Sequence, residues 1–141
     1  MAKRSLVKSP VALRTGGTLA TTSKPWSPKV LRAGQGAHFF LELIEHADLP
    51  ALARGFAGKV VAAVPHADAS LFDADLRGPL MLMVGNEGAG LSPALIACAT
   101  ARLAIPMPGG FESLNAASAA AVCLFEKLRQ DRKADPGRAA L

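Results

Sequence analysis

Residues 84–92 read VGNEGAGLS and continue directly from the apolar stretch PLMLMV of residues 79–84. A strand that runs into Gly85, Gly88 and Gly90 ends in backbone with almost no side chains, and the acid Glu87 sits in its middle. Such a stretch is either a plain turn carrying a carboxylate or a loop whose bare backbone comes close to a ligand. In an open parallel sheet, ligands gather at the carboxyl ends of the strands. A second glycine loop, PMPGGFESLN of residues 106–115, leaves another strand and leads into a helix. Neither loop is a phosphate-binding loop of known type. There is no Gly-Lys-Ser/Thr, and the glycines of GNEGAG do not fall at the GxGxxG positions of a dinucleotide site.

The elements around these loops alternate in type. KVVAAV (59–64) is a continuous apolar strand of the kind buried on both faces, GPLMLMVG (78–85) is a second, RLAIPM (102–107) a third, and HFFLELI (38–44) a short fourth. SPKVLRAGQG (27–36) offers Ser27 as N-cap and Pro28 at the first helical position, with Val30, Leu31 and Ala33 as its apolar side. Gly34 and Gly36 point to a close packing contact near its end. DLPALARGFAG (48–58) is a short helix opened by Asp48 and closed by Gly55 or Gly58, and SPALIACAT (92–100) is one capped by Ser92. The last helix runs from about Ser113 to Gln130, its apolar face being Leu114, Ala117, Ala121, Leu124 and Leu128. Residues 1–27 read as irregular, broken by Pro10, Gly16-Gly17 and Pro25, and SLFDADL (70–76) reads as a loop. The pattern predicts an α/β fold with a largely parallel sheet flanked by helices.

At 141 residues the chain suits a single domain. It divides into a basic leader (1–24), a main domain (25–130) and a basic tail (131–141). Residues 1–32 hold seven Lys or Arg and no acid, residues 33–125 four bases against eight acids, and residues 126–141 five against three. Basic ends suit a phosphate-bearing partner, and equally a solvated leader and tail. The absence of Tyr and an aromatic content of 5% argue against a stacked platform for single-stranded nucleic acid. No apolar run approaches the ~20 residues that span a bilayer. The acid-free start shares its composition with a mitochondrial transit peptide, but proline and glycine interrupt any amphipathic helix there. Cys98 and Cys123 lack CxxC spacing and read as buried, reduced thiols of a cytoplasmic protein. His38, His46 and His66 have no metal-ligand spacing.

Taken as a pair, in this order and spacing, VGNEGAGLS and IPMPGGFESLNAASAAA (105–121) resemble the second and third motifs of the SpoU/TrmH-type RNA ribose 2′-O-methyltransferases of the SPOUT superfamily. PWSPKVLRAGQGAHFFLEL (25–43) is similar to the stretch that precedes those motifs, so the resemblance covers roughly residues 25–130. It implies a deep trefoil α/β knot, with the C-terminal segment threaded through a loop so that both glycine loops meet. It implies S-adenosyl-L-methionine as cofactor, RNA (tRNA or rRNA) as substrate, a homodimer, a cytoplasmic setting, and neither metal nor membrane. Gly85, Ile105 and Leu114 fall at its cofactor-contact positions, and Val64 to His66 at another wall of that site. The chemistry of the residues agrees with this placement. An adenine ring needs an apolar slot, which Ile105, Met107 and Leu114 can form, and Gly85 admits a close backbone approach.

Glu87 and Asn115 match the polar positions of the two motifs. Glu87 is read as orienting the loop or a ribose, or as a turn-stabilising acid; Asn115 as holding Glu87 or RNA, or as a helix cap. Ser113 is read as either a cap or a cofactor-loop hydroxyl. KSPVALRTGG (8–17) retains the LRT that ends the family's first motif, which makes Arg14 the candidate to activate the 2′-hydroxyl. Lys8 stands where the family has Asn, and the chain reaches PWSPK without the apolar strand the family places between. The expectation is therefore a strand missing beside the cofactor site. Two functions stay open: an active 2′-O-methyltransferase, or a non-catalytic member that keeps the cofactor-binding knot and the dimer surface.

Overall fold

A computed structural model describes residues 11–14, 18–21, 25–86, 88–110 and 114–134. In chain order the strands are β1 (Val11–Arg14), β2 (Thr18–Thr21), β3 (Glu42–Glu45), β4 (Lys59–Ala63), β5 (Ala69–Ser70), β6 (Leu80–Val84) and β7 (Ala101–Ala104). The helices are α1 (Pro28–Gly34), α2 (Leu49–Arg54), α3 (Pro93–Ala97) and α4 (Ala116–Ala134). The strands form one sheet in the order β3-β2-β1-β6-β4-β7-β5. β4 lies parallel to β6 and β7, β5 parallel to β7, and β2 parallel to β3; only β1 runs antiparallel to its neighbours β2 and β6.

All five residues of β6 are buried, as an apolar run without alternation requires. Its pleat sends Met81 and Met83 to one face and Leu80, Leu82 and Val84 to the other. On the first face they meet Val60, Ala62, Leu49, Ala53 and Leu95 beneath α2 and α3; on the second, Val61, Leu71, Leu76, Leu103 and Cys123 beneath α4. The short helices begin where their caps dictate. The side chains of Ser27, Asp48 and Ser92 accept from the N–H groups of Val30, Ala51 and Leu95 at 3.4, 3.0 and 3.3 Å. A proline stands in the first or second position of each.

Five readings of the sequence need correction. Residues 11–14 and 18–21 are strands rather than irregular chain, and Thr18–Thr21 supplies a strand between Arg14 and PWSPK. An unpaired flank of the buried β6 would leave its N–H and C=O groups without partners, and β1 pairs with it from Val11 opposite Val84 to Arg14 opposite Met81. β3 starts at Glu42 because residues 37–39 turn as a 3₁₀ helix. There the His38 ring donates from Nε2 to the Pro25 carbonyl at 2.7 Å and stacks, tilted, on Trp26. Gly34 makes that possible, since a Cβ there would sit 2.8 Å from the His38 ring. The 70–76 segment carries part of β5 and a 3₁₀ turn (Leu71–Asp73) that buries Leu71, with Leu76 buried after it.

The apolar sides read for α1 and α4 are the fourth and fifth. Leu31 and Ala33 are exposed and no residue of α1 is buried. In α4, Leu114 (just ahead of it), Ala117, Ala121, Leu124 and Leu128 face outward, while Cys123, Glu126 and Lys127 are the buried residues. The inward face is set by hydrogen bonding. Lys127 Nζ donates to the carbonyls of Leu76 and Gly78 at 3.1 and 2.8 Å and to Asp131 at 2.8 Å. Gln130 accepts from the Leu76 N–H at 2.8 Å and donates to the Ala74 carbonyl at 2.9 Å. Glu126 receives Arg129 at 2.7 and 2.6 Å and Gln130 at 2.8 Å. Both cysteines are free; Cys98 is half-buried, and burial pushes the Cys123 thiol up to about 11.

Two outcomes follow for stability. Lys127→Ala strands two loop carbonyls beneath α4 and should cost about 3 kcal/mol in urea unfolding; an unchanged midpoint would remove the clamp as the reason for the helix's orientation. The guanidinium of Arg129, and then the Gln130 amide, hold the Glu126 carboxyl at about 2, below its ordinary 4.5. A depressed carboxyl stabilises fully above its ordinary value and loses that contribution as pH falls from there towards about 2. Acid titrations of stability should therefore fall more steeply for the native chain than for Glu126→Gln across that window, and parallel curves would contradict the assignment.

Candidate functional site

β6 ends at Val84, and the chain then folds back onto itself. Asn86 Oδ1 accepts from the N–H groups of Gly88 and Ala89 at 2.9 and 2.6 Å, and the Gly90 N–H returns to the Asn86 carbonyl at 3.1 Å. Gly90 takes φ +65°, a left-handed conformation that side chains resist. The tightest contact is at Gly85, where a Cβ would lie 2.5 Å from the Leu91 nitrogen and 2.6 Å from the Gly90 Cα. The closeness that requires glycine here is thus to the loop's own backbone. Leu91 is buried beyond the turn and Ser92 caps α3.

The second loop leaves β7 through Ile105, Pro106 and Met107 and turns at Gly109, with φ +77°. Leu114 and Asn115 lead into α4. The Asn115 side chain accepts from the N–H groups of Ala117 and Ser118 at 2.9 and 3.3 Å, and its carbonyl from Ala119 at 2.8 Å, which caps α4. The chain after β4 joins the same end of the sheet, its Val64 N–H donating to the Leu103 carbonyl at 3.0 Å.

These three segments enclose a cavity of about 490 Å³. Val64, Gly85, Ile105, Met107 and Leu114, all singled out in the sequence, line it together. Asn115 is the exposed neighbour of Leu114, at the first turn of α4. Glu87 and Ser113 lie outside the described residues. Arg14 is not brought to the cavity through its backbone: it pairs with Met81, four residues before Gly85, roughly 13 Å away at the rise of a strand. The antiparallel direction of β1 is the cause. Sequence reasoning missed Asn86, Ile96 and Arg102, which also line the cavity. Asn after a strand and two residues before glycine is a legible turn signal; an Arg in a four-residue strand carries none. Among the described residues no group of three or more His, Cys, Asp or Glu is placed to hold a metal ion, and no helix is long and apolar enough to cross a membrane.

A mixed α/β domain with two glycine-built walls at the carboxyl ends of parallel strands is the class this geometry defines. Residues 11–125 match the model of the SpoU rRNA Methylase family, and the chain belongs to that family. It is 38% identical over 109 residues to an uncharacterized tRNA/rRNA methyltransferase of Synechocystis, covering 75% of this chain and 40% of the relative. It is 34% identical over 136 residues to the 23S rRNA (uridine(2479)-2′-O)-methyltransferase of Streptomyces viridochromogenes, covering 89% of this chain and 47% of that one. The solved SpoU methyltransferase AviRb of the same organism, in complex with the cofactor AdoMet, superposes with a TM-score of 0.70 at 33% identity, over 80% of this chain and 48% of that one. The chain thus spans less than half the length of these relatives.

The two loop glycines should respond differently to a methyl group. Gly85→Ala drives a Cβ into backbone and should cost about 3 kcal/mol. Gly90→Ala meets nothing within 4 Å and should cost only the left-handed strain, about 1 kcal/mol. Thermal unfolding of the two variants checks the order, and equal costs would refute the close-approach argument.

Proposed function

We propose that the chain is the S-adenosyl-L-methionine-dependent domain of an RNA ribose 2′-O-methyltransferase acting on tRNA or rRNA. The observation that carries this reading is the meeting of Val64, Gly85, Ile105, Met107 and Leu114 around one cavity between two glycine loops. Its volume of about 490 Å³ falls within the range of small-molecule and cofactor sites. Val64, Ile105, Met107 and Leu114 offer apolar surface to an adenine ring, and the glycine loop brings backbone N–H and C=O groups near its edges. The bound cofactor supplies a methyl group on a positively charged sulfur. For transfer to the ribose 2′-oxygen, residues of this chain would have to align that oxygen with the methyl group, with its proton passing to solvent or a nearby base. Glu87 is assigned to orienting the loop or ribose, and Asn115 to fixing the first turn of α4 beside Leu114.

The finer reading includes the knot, with residues 105–121 threaded through the loop of residues 85–90. It also includes a homodimer in the cytoplasm, neither metal-dependent nor membrane-bound. The outward apolar residues favour the dimer: Leu124, Leu128 and Phe125, the last 71% exposed, follow one another along α4, and Leu31 is exposed on α1. Arg14 is assigned to activating the 2′-hydroxyl across that interface, since its own cavity lies at the other end of β6. The same remoteness favours a second reading, a member that binds cofactor without turnover.

One pair of measurements separates them. Calorimetry with S-adenosylmethionine and S-adenosylhomocysteine should show binding of both under either reading. Transfer of labelled methyl groups to bulk tRNA and rRNA should be detectable but slow, and should fall at least tenfold in Arg14→Ala. Binding without any transfer selects the second reading, robust transfer by Arg14→Ala refutes the role of Arg14, and no heat on folded protein refutes both readings.

A further inference from the structure

A second cavity, of about 810 Å³, adjoins the first and shares Pro65, His66, Arg102, Ile105 and Met107 with it. It opens along β7 and the chain that follows β4, and its remaining polar lining includes Asp68 and Thr100. Arg102 is the cation on the shared wall. Lys59 and Arg77 are held on Asp75, Lys127 on Asp131 and two carbonyls, and Arg129 on Glu126. Arg102 has no ion-pair or hydrogen-bond partner among the described residues, although Asp68 lines the same cavity. Its place in β7 explains this. Leu103 points into the core beneath α4, so Arg102, one residue earlier, stands on the opposite face and is exposed.

We infer that Arg102, with His66 beside it, seats a phosphate of the RNA backbone in this second cavity, next to the nucleotide whose ribose is methylated. The inference rests on the RNA reading above and adds a positioning residue to it. A ribose 2′-oxygen delivered to the first cavity carries its phosphodiester on the adjacent carbon, so a phosphate must lie just outside that cavity. The shared wall is where a group so placed arrives. An unpaired guanidinium there offers two parallel N–H donors to phosphate oxygens, a geometry an ammonium does not match. Asp68 sets a limit on the occupant: it repels a second phosphate but accepts from a hydroxyl or an amino group. The apolar surfaces of Met107 and Ile105 suit the sugar or base between them. A cavity of this volume exceeds what the carboxylate of a cofactor would fill.

The test is binding of unfractionated tRNA to the full chain over a range of salt concentrations, beside calorimetry with S-adenosylmethionine. Arg102→Gln should weaken tRNA binding about fivefold to tenfold at low salt. It should also flatten the log–log salt dependence by about 0.7–0.9, the slope of one phosphate contact. Arg102→Lys should keep the native slope while losing part of the affinity. An unaltered affinity and slope in Arg102→Gln, with the native chain binding tRNA, overturns this inference and leaves the RNA reading intact. A larger loss of cofactor affinity than of tRNA affinity assigns Arg102 to the cofactor's carboxylate and also overturns it. No tRNA binding by the native chain overturns the RNA reading and this inference together.

Discussion

The backbone contact between Gly85 and the Gly90–Leu91 peptide is the constraint on which the candidate site depends. It is made at the exit of the central, fully buried strand, so the loop inherits the position of the core beneath it. Asn86 then holds the turn with its side chain, and Leu91 plugs the far side before Ser92 starts α3. A few residues thus convert a strand end into a wall made mainly of backbone. Such a wall offers backbone surface rather than long side chains, and Asn86 holds the Gly88, Ala89 and Gly90 N–H groups within the turn. Any larger residue at position 85 would push Gly90 and Leu91 away and carry the start of α3 with them.

The opposite wall depends on polar contacts at a distance. Leu114 stands directly ahead of α4, and its place follows from where that helix is fixed. Asn115 fixes one end by capping it; Lys127 and Gln130 fix a later turn by bonding the 74–78 loop. A helix that slid or rotated would leave the Leu76 carbonyl buried without a donor, a cost comparable to exposing leucines. This is why apolar Leu124 and Leu128 face outward while a lysine and a glutamate face in. On the proposed reading, the outward stripe is then left for a second copy.

What could be read from the sequence follows from which forces were local. The strands KVVAAV and PLMLMV, and the helices opened by Ser27, Asp48 and Ser92, are decided within a few residues by burial and capping, and they stand where expected within a residue or two. The five cavity-wall residues were legible because the two loops match a family pattern. β1 and β2 were not legible, because proline and glycine surround four-residue strands whose existence is decided by the unpaired flank of β6. The face of α4 was misread because periodicity counts Lys127, Gln130 and Glu126 as solvent-facing. The loop partners of Lys127 and Gln130 lie some fifty residues away in the chain, and Glu126 is held by Arg129 and Gln130 beside it. Arg102 had no sequence signal at all; only the adjoining cavities give it a context.

The direction of β1 bears on how binding and turnover relate. A strand parallel to β6 would deliver its last residue to the carboxyl end, where the cavity lies; the antiparallel β1 delivers Arg14 to the opposite end. Cofactor binding, on the proposed reading, needs only walls that one chain builds for itself. On the same reading, activation of the 2′-hydroxyl by Arg14 needs a second chain at the right place. Displacement of about 1 Å from an in-line approach costs on the order of a hundredfold in rate, while leaving affinity for either substrate nearly untouched. The two properties therefore separate physically. On that reading, affinity for cofactor belongs to the single chain and is independent of its concentration, whereas turnover tracks the population of correctly docked pairs. A change confined to the exposed stripe of α4 would move the second and spare the first.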